Sequence, residues 1–180
     1  AYFKMLIEKY GKERGRKTEI RSFENIEFRQ VAAANQKLYV NRVEGFVGTG
    51  LKKDEFIGEC SDIDYIIAFT EDGKFVVTRV SDKGFVGKNI LHAAVWKKND
   101  DRLVYNMIYR DGKNGKSYAK RFAVTSITRD KPYDLTKGTD GSLVLYFTAN
   151  PNSESEVVSI SLSPKSKARI KSLDFDFNDL

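Results

Sequence analysis

The side chains able to carry out covalent chemistry are few, and each stands apart from the others. His92 is the only histidine and Cys60 the only cysteine. No second His or Cys lies at ligand spacing from His92, so it reads as a packed histidine, and a lone Cys60 supports neither a disulfide nor a thiolate zinc site. Asp62 with Asp64, and Asp100 with Asp101, offer carboxylate pairs of the kind used for acid–base work or magnesium binding. They flank strand-like runs in turn contexts, which makes them solvated turn carboxylates. Gly115-Lys116-Ser117 has the ending of a phosphate loop, but Arg110 stands where that loop needs its first glycine, so a hairpin turn is expected. Trp96, beside Lys97 and Lys98, has the surface to stack on a base, yet a packed indole is the better reading. The nine tyrosines sit mostly in apolar alternation and read as core.

What the spacing does support is recognition of a polyanion. Lys37, Arg42, Lys52, Lys53, Lys74, Arg79, Lys83, Lys88, Lys116, Lys120 and Arg121 recur at similar places in successive segments. Solvation alone would scatter such residues, whereas a curved track of phosphates selects for periodic placement. Contacts of this kind fix position without reading base sequence. These residues are the candidate DNA-binding set, and no catalytic or metal site accompanies them.

The elements that must position them repeat. KLYVNRV (residues 37–43) returns as KFVVTRV (residues 74–80), and each is followed by an identical GFVG, at 45–48 and 84–87. A third copy, KSYAKRF (116–122), keeps the Lys and Arg five apart, and a fourth, EVVSISL (156–162), has lost both. A period near forty indicates a radial or solenoidal array whose units bury their apolar faces on one another. Four strand pairs are expected: VAAA with KLYV, YIIAF with KFVVTRV, LVYNMIY with KSYAKRF, and LVLYF with EVVSISL. Asp72-Gly73 between apolar runs is a strong hairpin signal, and KNILHAAVW is a source of a further strand. The repeated strand is apolar at both parities, so burial on both faces is expected, with Arg42 and Arg79 leaving the interface at matching strand ends.

Before the repeats, Phe3, Leu6, Ile7 and Tyr10 follow helical spacing, and a Gly/Lys/Arg-rich linker succeeds them. The chain opens at Ala1 inside this helix, as expected of part of something longer. The 180 residues carry a formal charge of +6. Residues 31–131 hold eighteen Lys/Arg against thirteen Asp/Glu, while residues 132–180 hold five against seven. A basic patch on the repeats and an acidic tail follow from that asymmetry. No apolar run is long enough to span a membrane and no signal peptide is visible, so a cytoplasmic setting is expected.

EKYGKERGRKTEI (residues 8–20) resembles the junction after the cleavage core in the A subunits of bacterial type IIA topoisomerases. The repeats from about Val31 resemble the C-terminal β-pinwheel of those proteins, a propeller-like disc with a basic rim. The resemblance implies an all-β fold: a short N-terminal helix and linker over 1–25, then pinwheel repeats over 26–180. Four blades fall near 31–60, 61–100, 101–140 and 141–180. It further implies binding and bending of duplex DNA, presenting the transported segment during ATP-dependent strand passage. The partners implied are duplex DNA, a second copy of the A protein in a dimer, and a B protein with ATPase activity, in a cytoplasmic, nucleoid-associated setting. The family's ATP and Mg²⁺ act elsewhere in the enzyme, its active-site tyrosine lies upstream, and no cofactor is implied on this chain. The A subunits of gyrase carry a Gln- and Arg-led glycine-rich box. The nearest strings here, GFVGTGLKK and GFVGKN, lack its arginines, which makes the resemblance closer to topoisomerase IV. A WD-repeat interaction propeller is the alternative, and it lacks support because no Trp-Asp or Gly-His dipeptide occurs.

Overall fold

In the computed structural model, residues 2–10, 35–165 and 167–180 are described. The chain forms two compact units, residues 1–32 and 33–180. Of the first, the described part is the helix α1 (Tyr2–Tyr10), where the stripe residues Phe3 and Tyr10 are exposed. The basic linker and the VAAA strand expected before KLYV lie outside the described residues.

The second unit is all-β and comprises four antiparallel sheets. Its strands are β1 (Gln36–Asn41), β2 (Phe46–Gly48), β3 (Glu55–Cys60), β4 (Tyr65–Thr70), β5 (Lys74–Arg79), β6 (Gly84–Phe85) and β7 (Ile90–Trp96). They continue with β8 (Val104–Arg110), β9 (Ser117–Ala123), β10 (Tyr133–Asp134), β11 (Leu143–Asn150), β12 (Val157–Ser161) and β13 (Ser172–Asp176). The spatial orders are β3-β1-β2-β6, β10-β5-β4-β7, β11-β8-β9 and β12-β13. The first two sheets are built alike: a hub strand (β1, β4) lies between a hairpin partner (β2, β5) and a returning strand (β3, β7). A two-residue strand from the next segment (β6, β10) then closes the hairpin edge. The third sheet follows this plan through β8, β9 and β11.

This plan corrects the equivalence drawn from KLYVNRV and KFVVTRV. The first copy is the hub β1, whereas the second is the hairpin partner β5, so the structural counterpart of β1 is β4 (YIIAFT). Burial differs accordingly. β1 buries Leu38 and Val40 with Tyr39 only half-covered, and β5 buries Phe75 and Val77. The strand covered on both faces is β4: Ile66 and Ala68 join the core shared with the first sheet, and Ile67 and Phe69 the core shared with the third.

The expected pairing of LVLYF with EVVSISL does not form. β11 runs back along β8, from Leu143 opposite Arg110 to Asn150 opposite Val104, and β12 pairs with β13. The intervening Pro151–Ser153 forms a 3₁₀ turn in which Asn152 and Ser153 both take φ of 56°. Two successive left-handed residues redirect the chain there, and the Ser153 N–H donates to the Arg102 carbonyl at 2.7 Å. The Asp72-Gly73 hairpin does form, with Gly73 at φ 80°, and KNILHAAVW supplies β7.

Candidate nucleic-acid interface

The two GFVG copies bind each other. Phe46 of β2 pairs with Phe85 of β6, and Val47 with Gly84. The phenylalanine rings meet edge to face at 5.4 Å. Around this contact the Val86 N–H donates to the Gly45 carbonyl at 2.9 Å, Thr49 to Ser81 at 3.1 Å, and Gly50 to Asp82 at 2.8 Å. Glycine is required at two of these positions. Gly45 has φ +84°, and a Cβ on it would lie 2.2 Å from the Gly87 carbonyl oxygen; one on Gly48 would lie 2.2 Å from that of Asp82. Both distances are far inside van der Waals contact, so any side chain would force the two segments apart.

This clasp gathers the basic residues of the first two sheets. The Gly50–Asp82 bond sets the turn that carries Lys52 and Lys53 beside the segment that carries Lys83. Lys88 follows Gly87 directly, and with Lys74 it lines one groove of about 580 Å³ that also includes Phe85, Asn89 and Pro132. Lys52, Lys53, Lys74, Lys83 and Lys88 are all exposed. Lys52, Lys53 and Lys88 form no hydrogen bond, ion pair or ring contact with other described residues. Lys83 holds its Nζ 4.2 Å above the Phe46 ring. Lys74 bridges to Asp72 at 2.8 Å, and that hydrogen bond, with the carboxylate's charge, raises the ammonium's pKa.

The other candidates divide into two kinds. Lys37 on β1 and Lys116 before β9 are exposed and unpartnered among the described residues, and Arg79 is exposed with a single bond, to the Asp62 carbonyl at 3.3 Å. No contact ties these three to the lysine group at the clasp. Arg42, Lys120 and Arg121 are committed to the fold. Arg42 grips Glu55 with two nitrogens at 2.6 and 2.8 Å and the Leu91 and Ile90 carbonyls with a third at 2.6 and 3.3 Å. The hydrogen bond to Glu55 lifts the guanidinium's pKa and lowers that of the carboxyl. Lys120 donates to the Leu135 carbonyl. Arg121 donates to the Asn106 side chain at 3.4 Å and to the Ser153 and Glu154 carbonyls at 3.0 and 3.3 Å. Arg42 and Arg79 therefore do not share an environment, as their matching sequence positions had suggested.

The groups set aside as chemistry occupy structural positions. Burial, and then the charge of Arg42, depress the His92 pKa, and its ring packs near Phe69, Tyr105 and Phe147. Burial raises that of Cys60. Trp96 Nε1 donates to the Val124 carbonyl at 2.9 Å. Asp64 accepts from the Ser61 N–H at 2.8 Å and Asp100 from Arg102 at 3.1 Å, both within turns. Lys116 closes the hairpin turn through its carbonyl, which accepts from Asp111 at 3.0 Å. Among the described residues no three His, Cys, Asp or Glu side chains converge as metal ligands, and no helix is long and apolar enough to cross a membrane. Sequence reasoning passed over Lys113, exposed in the same turn as Lys116; the two lysines of the GKNGK string were its signal.

Comparison with known proteins agrees with this architecture. Residues 37–180 match the family of the topoisomerase C-terminal domain of Bacteroidota. The A subunit of DNA topoisomerase 4 from Borreliella burgdorferi is 33% identical over 151 residues, which cover 83% of this chain and 24% of that protein. The chain thus spans about a quarter of that curated relative. No solved structure shows a significant match. A basic all-β repeat array clasped through GFVG, and a match over nearly all of it, lead to one statement of kinship: this chain belongs to the family of C-terminal domains found in the A subunits of bacterial type IIA topoisomerases.

Proposed function

We propose that this chain binds duplex DNA without regard to base sequence, using the lysines gathered where the two GFVG copies clasp. The observation that carries this reading is the placement of Lys52, Lys53, Lys74, Lys83 and Lys88, all exposed, on segments held together by that clasp. Side chains in such a group neutralise successive phosphates and release their counterions, which yields affinity without base readout. Lys37, Arg79 and Lys116 extend the path to phosphates further along a bent duplex. Bending costs on the order of 1–6 kcal/mol for a 40–90° deflection and is offset by the added backbone contacts.

In the whole enzyme this domain presents the transported segment for ATP-dependent strand passage, as decatenation or relaxation of supercoils. Cleavage then belongs to the core of the dimeric A protein, and ATP hydrolysis, with its Mg²⁺, to the B protein, in the cytoplasm at the nucleoid. The test is duplex binding as a function of salt. Five phosphate contacts give a log–log slope of about −4.5. A flat salt response, or no retention of DNA at low salt, would exclude the reading.

A further inference from the structure

In the first two sheets the hairpin partner is not the sheet edge. β2 takes on β6 and β5 takes on β10, each a two-residue strand supplied by the next segment. The two added strands share a chemistry. Lys83-Gly84-Phe85 and Lys131-Pro132-Tyr133 each place a lysine, one spacer and an aromatic residue. In both, that aromatic is set against another near the turn end of the receiving strand: Phe85 against Phe46 at 5.4 Å, and Tyr133 stacked on Phe75 at 5.1 Å.

The third sheet carries the receiving half of this arrangement. β9 is its edge, and among the described residues no strand joins β9 on the far side from β8. Tyr118 is the second residue of β9, as Phe75 is of β5. Its ring stacks on Tyr109 at 5.6 Å and is capped by Lys137, whose Nζ lies 3.8 Å from the ring centroid. A groove of about 470 Å³ follows β9 from Lys120 to Ser126, with Phe75 and Leu135 on its other wall. An edge of this kind presents unpaired N–H and C=O groups. A strand added to it gains affinity from main-chain bonds and selectivity from side-chain pockets.

We propose that the open edge of β9 is a docking site for a partner peptide, an extended segment of Lys-x-aromatic pattern whose ring takes the place of Lys137 against Tyr118. The register of β10 adds a preference. Asp134, which follows Tyr133, pairs with Lys74 at the head of β5; an acidic residue after the incoming aromatic would meet Lys116 at the head of β9. Lys120 and Arg121, the strand's own cations, are already bonded to carbonyls of the chain, so they leave the approach of a basic segment open.

The experiment titrates the isotope-labelled chain with the peptide RDKPYDLTK, the sequence of residues 129–137, and with the same peptide carrying Ala at the aromatic position. Expected are amide shifts confined to Ser117–Ala123 and Lys137, with the Ala peptide roughly three- to tenfold weaker. Tyr118→Ala, with the rest of the amide spectrum showing the fold intact, should weaken binding to a similar degree. Absence of shifts at millimolar peptide, equal binding of both peptides, or shifts at β5 in place of β9 would overturn the assignment. Concentration-dependent shifts on β9 without peptide would also overturn it, because a second copy of the chain would then be the occupant.

Discussion

Phe46 and Phe85 hold the same place in two copies of one tetrapeptide, and they are each other's partners across β2 and β6. Repetition here makes a self-complementary contact and not two equivalent strands. Its closeness depends on Gly45, whose added Cβ would strike the Gly87 carbonyl oxygen at 2.2 Å and whose φ is +84°. Gly45→Ala should therefore cost at least about 2 kcal/mol, combining a left-handed backbone with a clash against main chain. Denaturant unfolding measures it; a loss below half a kilocalorie would show that the two segments separate freely.

Arg42 and Arg79 should part company on mutation. The Glu55 pair is half-exposed, so solvent screening leaves it worth less than about 1 kcal/mol. The bonds of Arg42 to the Ile90 and Leu91 carbonyls tie β1 to the start of β7 and add about 1.5 kcal/mol or more as hydrogen bonds from a charged group. Arg42→Ala is expected to lose about 2 kcal/mol of stability, while Arg79→Ala, with one exposed bond, stays within about 0.5 kcal/mol. Paired thermal or urea melts decide this, and equal losses would refute the distinction.

The fate of Arg42 also shows where the sequence stops being readable. Its partner carbonyls lie 48 and 49 residues away, and nothing local distinguishes it from Arg79. The β4–β5 hairpin was legible because Asp72-Gly73 sits between two alternating runs, and β8 with β9 for a similar reason. β6 and β10 were not, since two residues carry no periodicity and their partners are set by tertiary closure. The exposed lysines were legible as a set; which of them the fold consumes depended on those long-range pairings.

Glu156 fastens the last hairpin to the third sheet. It accepts hydrogen bonds from Asn106 at 2.7 Å, Thr148 at 2.6 Å, Asn150 at 3.2 Å and the Tyr146 hydroxyl, while nearby Phe177 is fully buried. Burial alone would raise the carboxyl's pKa, but the four donors together bring it below the ordinary value. With the folded pKa depressed, this contribution is complete above the unfolded value of about 4.3 and disappears as the pH falls through the folded one. Glu156→Gln should flatten that acid-side slope and cost about 1–3 kcal/mol at neutral pH, because fully buried Asn106 loses its charged acceptor. An unchanged slope between wild type and variant would remove Glu156 from the account.

The lysines at the clasp should not weigh equally in DNA binding. Lys88 is free among the described residues, Lys83 must leave the Phe46 ring, and Lys74 is held by Asp72. Removing Lys88 should lower the salt slope by about 0.9, the full share of one phosphate contact. Lys83→Ala should show less loss of affinity, since release from the ring costs about 0.5–1 kcal/mol in the wild type. Asp72 is the informative site, because its carboxylate both occupies Lys74 and repels a phosphate entering the groove. Asp72→Asn keeps an oxygen for the Thr70 hydroxyl, which now donates to Asp72 at 2.5 Å, and frees the lysine. Affinity at low salt is expected to rise about three- to tenfold, as one opposing charge is removed at screened contact distance. Fluorescence anisotropy across a salt series reads both effects. Weaker binding by a folded Asp72→Asn chain would mean that Asp72 positions Lys74 for the phosphate and does not withhold it.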